Sequence, residues 1–377
     1  MVPANKVLIV GGGIAGLSAS ITLARQGRRV RVVELYRQAL GAAITITNRG
    51  IDALHALGIL QECVAVSYVP QRGQSFFANA MNANGEPMAL PPLPSRPEDG
   101  LPSFLCIYRP KLANVLAAAA RSAGVEIEYG KTVRTVLQSD DSVQVIFSDE
   151  SSDVFDLVIG ADGINSTVRQ YVCPDVKGTY TGWMSLRAMF GEDTPGTAGF
   201  YFLGGHNAVV TIRLPGDGLY MATGFKMENR HLGDDEAREL VADILAPCTA
   251  PLLQAMAQRL TEQVKVIARP YVWLLAPNPW HQQRVLLIGD AAHATTANLA
   301  SGGVMALEDA MVLGEELAGQ GSLTEALQSY SRRRYQRVKT VVNTSVELLH
   351  MQEDSAVQPA QIHAVRTKAS SIMLEPY

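Results

Sequence analysis

Glu34, Asp162 and Asp290 each follow a short apolar run. The first stands roughly 20 residues beyond the hexapeptide Gly11-Gly12-Gly13-Ile14-Ala15-Gly16. Through Gly11, Gly13 and Gly16 the hexapeptide reads GxGxxG, and each glycine has a physical task. Gly11 permits a tight turn, Gly13 lets backbone approach a pyrophosphate, and Gly16 lets helix and strand pack closely. Ile14 and Ala15 open the following helix, whose unpaired N–H groups face the phosphates. Glu34, with Leu35 beside it, is placed to accept hydrogen bonds from the ribose hydroxyls of an adenosine. The chemistry is dinucleotide binding.

Three segments must position these groups. Lys6–Val10 is a β-branched apolar run with the look of a buried parallel strand, Leu17–Gln26 reads as a helix ending at Gly27, and Arg29–Glu34 reads as a second strand. In the second segment, a strand from Phe155 to Gly160 runs into Asp162-Gly163 and then a short helix carrying Ser166 and Arg169. In the third, Arg284–Ile288 runs into Gly289-Asp290-Ala291-Ala292-His293, and Ser301-Gly302-Gly303 opens a helix over Val304–Leu317. All three carboxylates thus stand where open α/β sheets place ligands.

Composition narrows the classes. With 377 residues the chain has room for two or three domains, and 47% hydrophobic against 18% charged residues excludes disorder. Thirty-two basic and 36 acidic residues leave a net charge of -4, which lacks the basic footprint of a nucleic-acid partner. Cys63, Cys106, Cys173 and Cys248 form no CxxC pair and have no histidine at metal-ligand spacing, so no metal is expected and the thiols read as reduced, in a cytoplasmic protein. The uncharged run Val7–Ala24 imitates a membrane span, but four glycines, two serines and a threonine interrupt it, and no span is expected.

The three motifs in order resemble the single-component flavin-dependent aromatic hydroxylases, the family of p-hydroxybenzoate hydroxylase and the salicylate-hydroxylase-like enzymes. The likeness covers nearly the whole chain and includes Gly41–Asn48, Leu54–Gly58, and Arg109 followed by Leu112 and Leu116. It implies FAD as cofactor, NADH or NADPH as co-substrate, and dioxygen activated as a flavin C4a-hydroperoxide that attacks an electron-rich aromatic ring. It implies that Asp290 meets a ribityl hydroxyl, that Arg109 contacts the same linker region, and that Asp162 bridges FAD binding and the passage of the nicotinamide. The helix beginning at Gly302, Gly303 and Val304 would aim its positive end at the flavin N1 region. The chain departs from the family where a proline and a Gly-Gln-Gly-type turn are usual: Ala297, Ala300-Ser301-Gly302 and Val304 stand there.

Between the motifs, Gly85–Pro102 carries six of the 19 prolines and reads as an irregular loop. Residues 183–225 alternate as strands do. By analogy with the family, this sheet floors an apolar substrate cavity. Arg187 and Arg213 are candidates to hold a substrate carboxylate or phenolate, and Tyr201 and Tyr220 to bond a ring hydroxyl. His293 is the candidate general base, and His206 stands on a Gly-Gly-His turn. Each of these residues also has an ordinary structural reading. Asp234–Leu260 reads as helical with a break near Pro247, and Leu323–Gln352 as one long amphipathic helix whose arginines, Arg332–Arg334 and Arg337, form a solvated face.

The expectation is an α/β fold with a Rossmann-like FAD-binding domain (1–75, 103–180 and 266–320) interrupted by a β-sheet substrate domain (76–102 and 181–265). Residues 321–377 form a C-terminal helical segment. The function expected is an NAD(P)H- and FAD-dependent monooxygenase of a small aromatic or heteroaromatic substrate, working as a monomer or homodimer. The alternatives are a reductase of isoprenoid double bonds and a non-catalytic flavin-binding protein. A flavin halogenase is disfavoured because Tyr271–Pro277 does not supply the Trp-x-Trp-x-Ile-Pro signature.

Overall fold

The computed structural model describes residues 4–39, 41–71, 79–97, 99–204, 207–354 and 356–377. His206 lies outside the described residues.

Lys6–Val10 is buried from Val7 onward, and its apolar side chains have neighbours on both faces because it is a central strand. It pairs in parallel with Arg29–Glu34 on one side and with Leu157–Gly160 on the other. The six-stranded sheet runs His281–Gln282, Val285–Leu287, Leu157–Gly160, Lys6–Val10, Arg29–Glu34, Glu126–Tyr129, and only its first pair is antiparallel. All three motifs therefore leave one sheet. Helices Ile14–Arg25 and Gly302–Ala318 pack closely together where Gly314 meets Thr22; a Cβ on Gly314 would stand 2.2 Å from the Thr22 methyl. The run that imitates a membrane span is this strand, turn and helix. Among the described residues no helix is long and apolar enough to cross a membrane.

The second large sheet has seven strands in the order His293–Ala294, Val266–Leu275, Thr179–Phe190, Gly218–Lys226, Asn207–Leu214, Gly199–Gly204, Ala80–Asn82. Its faces differ. One buries Leu186, Phe190, Tyr201, Val209 and Met221 against Val241, Leu245 and Met256 of helices Asp234–Leu245 and Pro251–Arg259. The other carries Ile212, Leu214 and Tyr220 and packs on Phe104 and Cys106 of a three-stranded sheet, Ala43–Thr47, Phe104–Tyr108 and Ser67–Tyr68. Proline at N1 of the second helix suits a helix start, which is why the chain breaks and restarts there.

Two expectations need correction. Val266–Leu275 pairs along Thr179–Phe190, so its hydrogen bonds place it in the seven-stranded sheet and not with the FAD-domain segment 266–320. The helix Leu323–Glu353 forms as expected, capped by Ser322 and Glu325, but its arginines are not all solvated. Arg334 is fully buried and Arg337 nearly so, because Glu308 and Asp309 of the neighbouring helix bond them. Cys63, Cys106 and Cys248 are buried, Cys173 is half-buried, and all four are free thiols.

Candidate functional site

The phosphate turn is shaped by space. Gly11 has φ +107°, and a Cβ there would stand 2.3 Å from the Ala161 carbonyl oxygen; a Cβ on Gly16 would stand 2.0 Å from the Gly11 carbonyl oxygen. Side chains are excluded at both positions by protein backbone. At Gly13 a Cβ would meet no protein atom within 4 Å, so nothing in the fold itself demands glycine there. The open cradle beside the helix that starts at Ile14 is what a pyrophosphate needs. Glu34 closes off the turn, its carboxylate accepting from the Gly12 N–H at 2.6 Å and the Tyr36 N–H at 2.8 Å. Leu35 is exposed beside it.

The Asp162 carboxylate is engaged within its own turn. Ser166 Oγ donates to one oxygen, and the backbone N–H groups of Thr167 (2.7 Å) and Val168 (3.2 Å) donate to the other. The short helix after it is a single 3-10 turn, Val168–Tyr171, which carries Arg169 but not Ser166. Arg169 reaches across to the next motif and donates to the Ala291 carbonyl.

Asp290 sits in a single 3-10 turn, Gly289–Ala291. It is accessible to solvent although protein surrounds it, the condition of a group on the wall of a deep cleft. Burial pushes its pKa up, opposed by Arg109 and His293 and assisted by Asp309. Arg109 has the same setting: exposed, yet embedded deeply enough that burial lowers its pKa, with Asp290, Arg187 and Tyr220 as its charged or ionisable neighbours. Four sequence candidates therefore share one cleft. Tyr220 is buried, its hydroxyl pushed up to about 12 by desolvation. Arg187 lies on the same face of the sheet and donates from Nε to Ser185 Oγ at 3.0 Å.

The helix Gly302–Ala318 begins near this cleft. Ala300, just before it, adopts a left-handed conformation (φ +51°). Val304 is buried against Gly50, and a Cβ on Gly303 would stand 2.6 Å from the Ile44 methyl. No acidic residue occupies the first turn, so the positive end of the helix is not neutralised from within.

Three candidates point elsewhere. Tyr201 and Arg213 lie on the helix-covered face of the sheet, away from Tyr220 and Arg187. Tyr201 packs with Val209, and Arg213 donates to the carbonyls of Glu192, Thr194 and Gly196, holding the loop between two strands. His293 is buried, with Nε2 2.7 Å from Asp309 Oδ2 and its ring 5.0 Å from that of Trp280. In that position it faces a buried ion network and not the cleft. Sequence reading singles out neither Glu308 nor Asp309 and leaves Arg334 and Arg337 on a solvated face, so it does not find this network. The signal available was an adjacent acid pair within the otherwise apolar stretch Val304–Gly314, whose charges had to find buried partners.

A separate shallow depression of about 400 Å³ lies between Trp273 and the long helix at Asn343, Glu347 and His350. None of the cofactor candidates lines it. Among the described residues no group of three or more His, Cys, Asp or Glu could hold a metal ion.

Residues 4–345 match the model of a family described as FAD binding domain. The chain belongs to the FAD-binding domain family. Its likeness to curated relatives is spread over most of their length. It is 29% identical over 356 residues to an FAD-dependent urate hydroxylase of Klebsiella oxytoca, spanning 89% of this chain and 88% of the relative. It is 26% identical over 362 residues to a 6-hydroxynicotinate 3-monooxygenase of Bordetella bronchiseptica, 90% of each chain. The crystal structure of Klebsiella pneumoniae HpxO complexed with FAD and uric acid superposes with a TM-score of 0.80 at 21% identity, covering 98% of this chain and 97% of the other, which establishes the shared fold. The FAD-binding α/β architecture expected from the three motifs is thus borne out, with FAD as the cofactor.

Proposed function

We propose that this FAD-binding chain is a monooxygenase that uses NADH or NADPH and dioxygen to hydroxylate a small, electron-rich aromatic or heteroaromatic substrate. The observation that carries the reading is the convergence of Arg187 and Tyr220 from the seven-stranded sheet with Arg109 and Asp290 on one cleft. Relatives named for urate and 6-hydroxynicotinate support a heteroaromatic ring.

FAD, when bound, supplies the redox chemistry: it takes electrons from the nicotinamide and activates dioxygen. The protein binds and orients. Glu34 would hold the adenosine ribose, with Leu35 beside the same end; Gly11, Gly13, Ile14, Ala15 and Gly16 would line the pyrophosphate; Asp290 would accept from a ribityl hydroxyl, with Arg109 across the cleft. The first N–H groups of the helix at Gly302, Gly303 and Val304 favour negative charge at the reacting end of the cofactor. Asp162 serves through its turn, which Arg169 bonds to the Asp290 motif.

Arg187 faces the substrate side as a fixed cation, steadied by Ser185, and suits a carboxylate or a phenolate-like oxygen. Tyr220 stays protonated at neutral pH and so donates to a ring oxygen while the phenol itself keeps its proton. Met189, Val210 and Ala222 give the same face an apolar floor that excludes water from the ring. Four free thiols fit a cytoplasmic setting.

The reading is tested by NAD(P)H consumption. A panel of carboxylated and hydroxylated aromatic and heteroaromatic compounds is expected to contain at least one that accelerates oxidation of NADH or NADPH by the purified holoprotein. A panel with no such compound, on protein that holds FAD, contradicts the monooxygenase and leaves a flavin-binding protein without turnover.

A further inference from the structure

Behind Asp290 lies a set of charges with almost no access to solvent. Asp309 Oδ2 accepts from the Gly289 N–H at 2.8 Å and stands 2.7 Å from His293 Nε2, while Oδ1 accepts from Arg334 Nε at 2.8 Å. Glu308 completes the set, bonding Arg334 at 2.7 Å and Arg337 through both of its oxygens at 2.8 Å. Glu308, Asp309 and Arg334 are fully buried. Burial opposes charge on Asp309, yet His293 and Arg334 hold its pKa at about 2, so the carboxylate is ionised across the working pH range.

The two partners that Asp309 Oδ2 takes from the motif flank Asp290: Gly289 immediately before it and His293 three residues after it. Between them the chain makes a single 3-10 turn, and Asp290 is its accessible residue. A three-residue turn has little stiffness of its own, because its one internal bond runs from the Ala292 N–H to the Gly289 carbonyl at 2.9 Å. Its two ends must be fixed from outside. The Trp280 ring beside His293 limits that imidazole to one orientation, and the Arg334 guanidinium limits the Asp309 carboxylate.

We propose that Asp309 is a positioning residue for the cofactor: by clamping Gly289 and His293 it fixes where the Asp290 carboxylate meets the ribityl chain of FAD. The proposal rests on Asp290 being a cofactor contact. Arg337 extends the same set to the C-terminal helix Pro359–Leu374, donating to the carbonyls of Ile372 (2.7 Å) and Met373 (2.8 Å), and Ser301 Oγ bonds Met373 Sδ at 2.9 Å just before the helix at Gly302. One buried network therefore ties the Asp290 turn to the start of the other element that approaches the flavin.

The test is a double-mutant cycle on the rate of FAD release from the holoprotein, read as the rise of free-FAD fluorescence after dilution. Asp309→Asn keeps the shape, removes the charge, and can serve only part of the three-partner set. It is expected to speed release by about tenfold to a hundredfold, the effect of losing hydrogen bonds to a charged group. In an Asp290→Asn background the same change is expected to add less than about twofold, within the scatter of independent sites. A structural role that merely loosens the whole cofactor domain would multiply release equally in both backgrounds, and that result overturns the proposal while leaving Asp290 as a contact. If Asp290→Asn alone leaves release unchanged, Asp290 is not a contact and the proposal falls with that reading. Should Asp309→Asn not accumulate as folded protein, His293→Gln, which disturbs one of the two clamped ends, carries the same cycle with the same opposed outcomes.

Discussion

Arg169 donates from Nη1 to the carbonyl of Ala291, 122 residues further along the chain, at 3.2 Å, so the Asp162 motif is bonded directly to the Asp290 motif. The same guanidinium donates to the Ile164 carbonyl at 2.7 Å and the Val176 carbonyl at 3.2 Å. One buried side chain thus serves three carbonyls.

Arg169→Ala should leave those carbonyls without their donor and destabilise the protein by about 3 kcal/mol. Arg169→Lys should recover only part of the loss, because an ammonium lacks the planar fork that reaches several acceptors. Urea unfolding of the three proteins checks the order.

The glycines of the phosphate turn should separate into two kinds. Gly11→Ala and Gly16→Ala drive a methyl into backbone at 2.3 and 2.0 Å and should unfold or severely destabilise the protein with or without cofactor. Gly13→Ala meets only open space and should keep the melting temperature of FAD-free protein while weakening FAD binding. Calorimetry of stripped protein beside an FAD titration distinguishes the two; equal loss of stability in all three variants contradicts the cradle.

Arg187 and Arg213 look alike in sequence and should behave oppositely. Arg187→Ala should raise KM for an anionic substrate by about tenfold or more, the loss of a charge-assisted bond, with little change in stability. Arg213→Ala should leave KM alone and lower stability, since its guanidinium holds the carbonyls of Glu192, Thr194 and Gly196. Steady-state kinetics on the first active substrate, with melting curves, reads both.

That contrast shows where sequence reading stops. The strand, glycine turn and helix at 6–25 were legible because each step has a local physical cause, and the alternation over 183–225 was legible as strands. Alternation says that Arg187 and Tyr220 can share a face, but not which face meets the cofactor. Arg213 and Tyr201 fell on the wrong side because a shift of one residue exchanges the two faces. The buried arginines were hidden for a different reason: Arg334 and Arg337 find Glu308 and Asp309 only after two helices pack, and helical periodicity cannot announce a partner on another helix.

The acid limb of stability should carry the mark of Asp309. Its pKa is held at about 2, below the ordinary carboxylate range, so its ionised form favours the folded state. The contribution, about 2 kcal/mol, is fully present above pH 4 and is lost as pH falls through about 2. Asp309→Asn should therefore show a shallower fall between pH 4 and 2 than the parent protein. Denaturant unfolding at stepped pH measures it, and parallel acid limbs would count against an ionised Asp309.

The most direct test of the central claim is the fate of labelled dioxygen. Purified holoprotein, NADH or NADPH and an aromatic compound that stimulates its oxidation are incubated under ¹⁸O₂, and the product is weighed by mass spectrometry. The account predicts a hydroxylated product carrying one ¹⁸O atom. A product that has gained two hydrogens and no label would contradict it and make the protein a reductase.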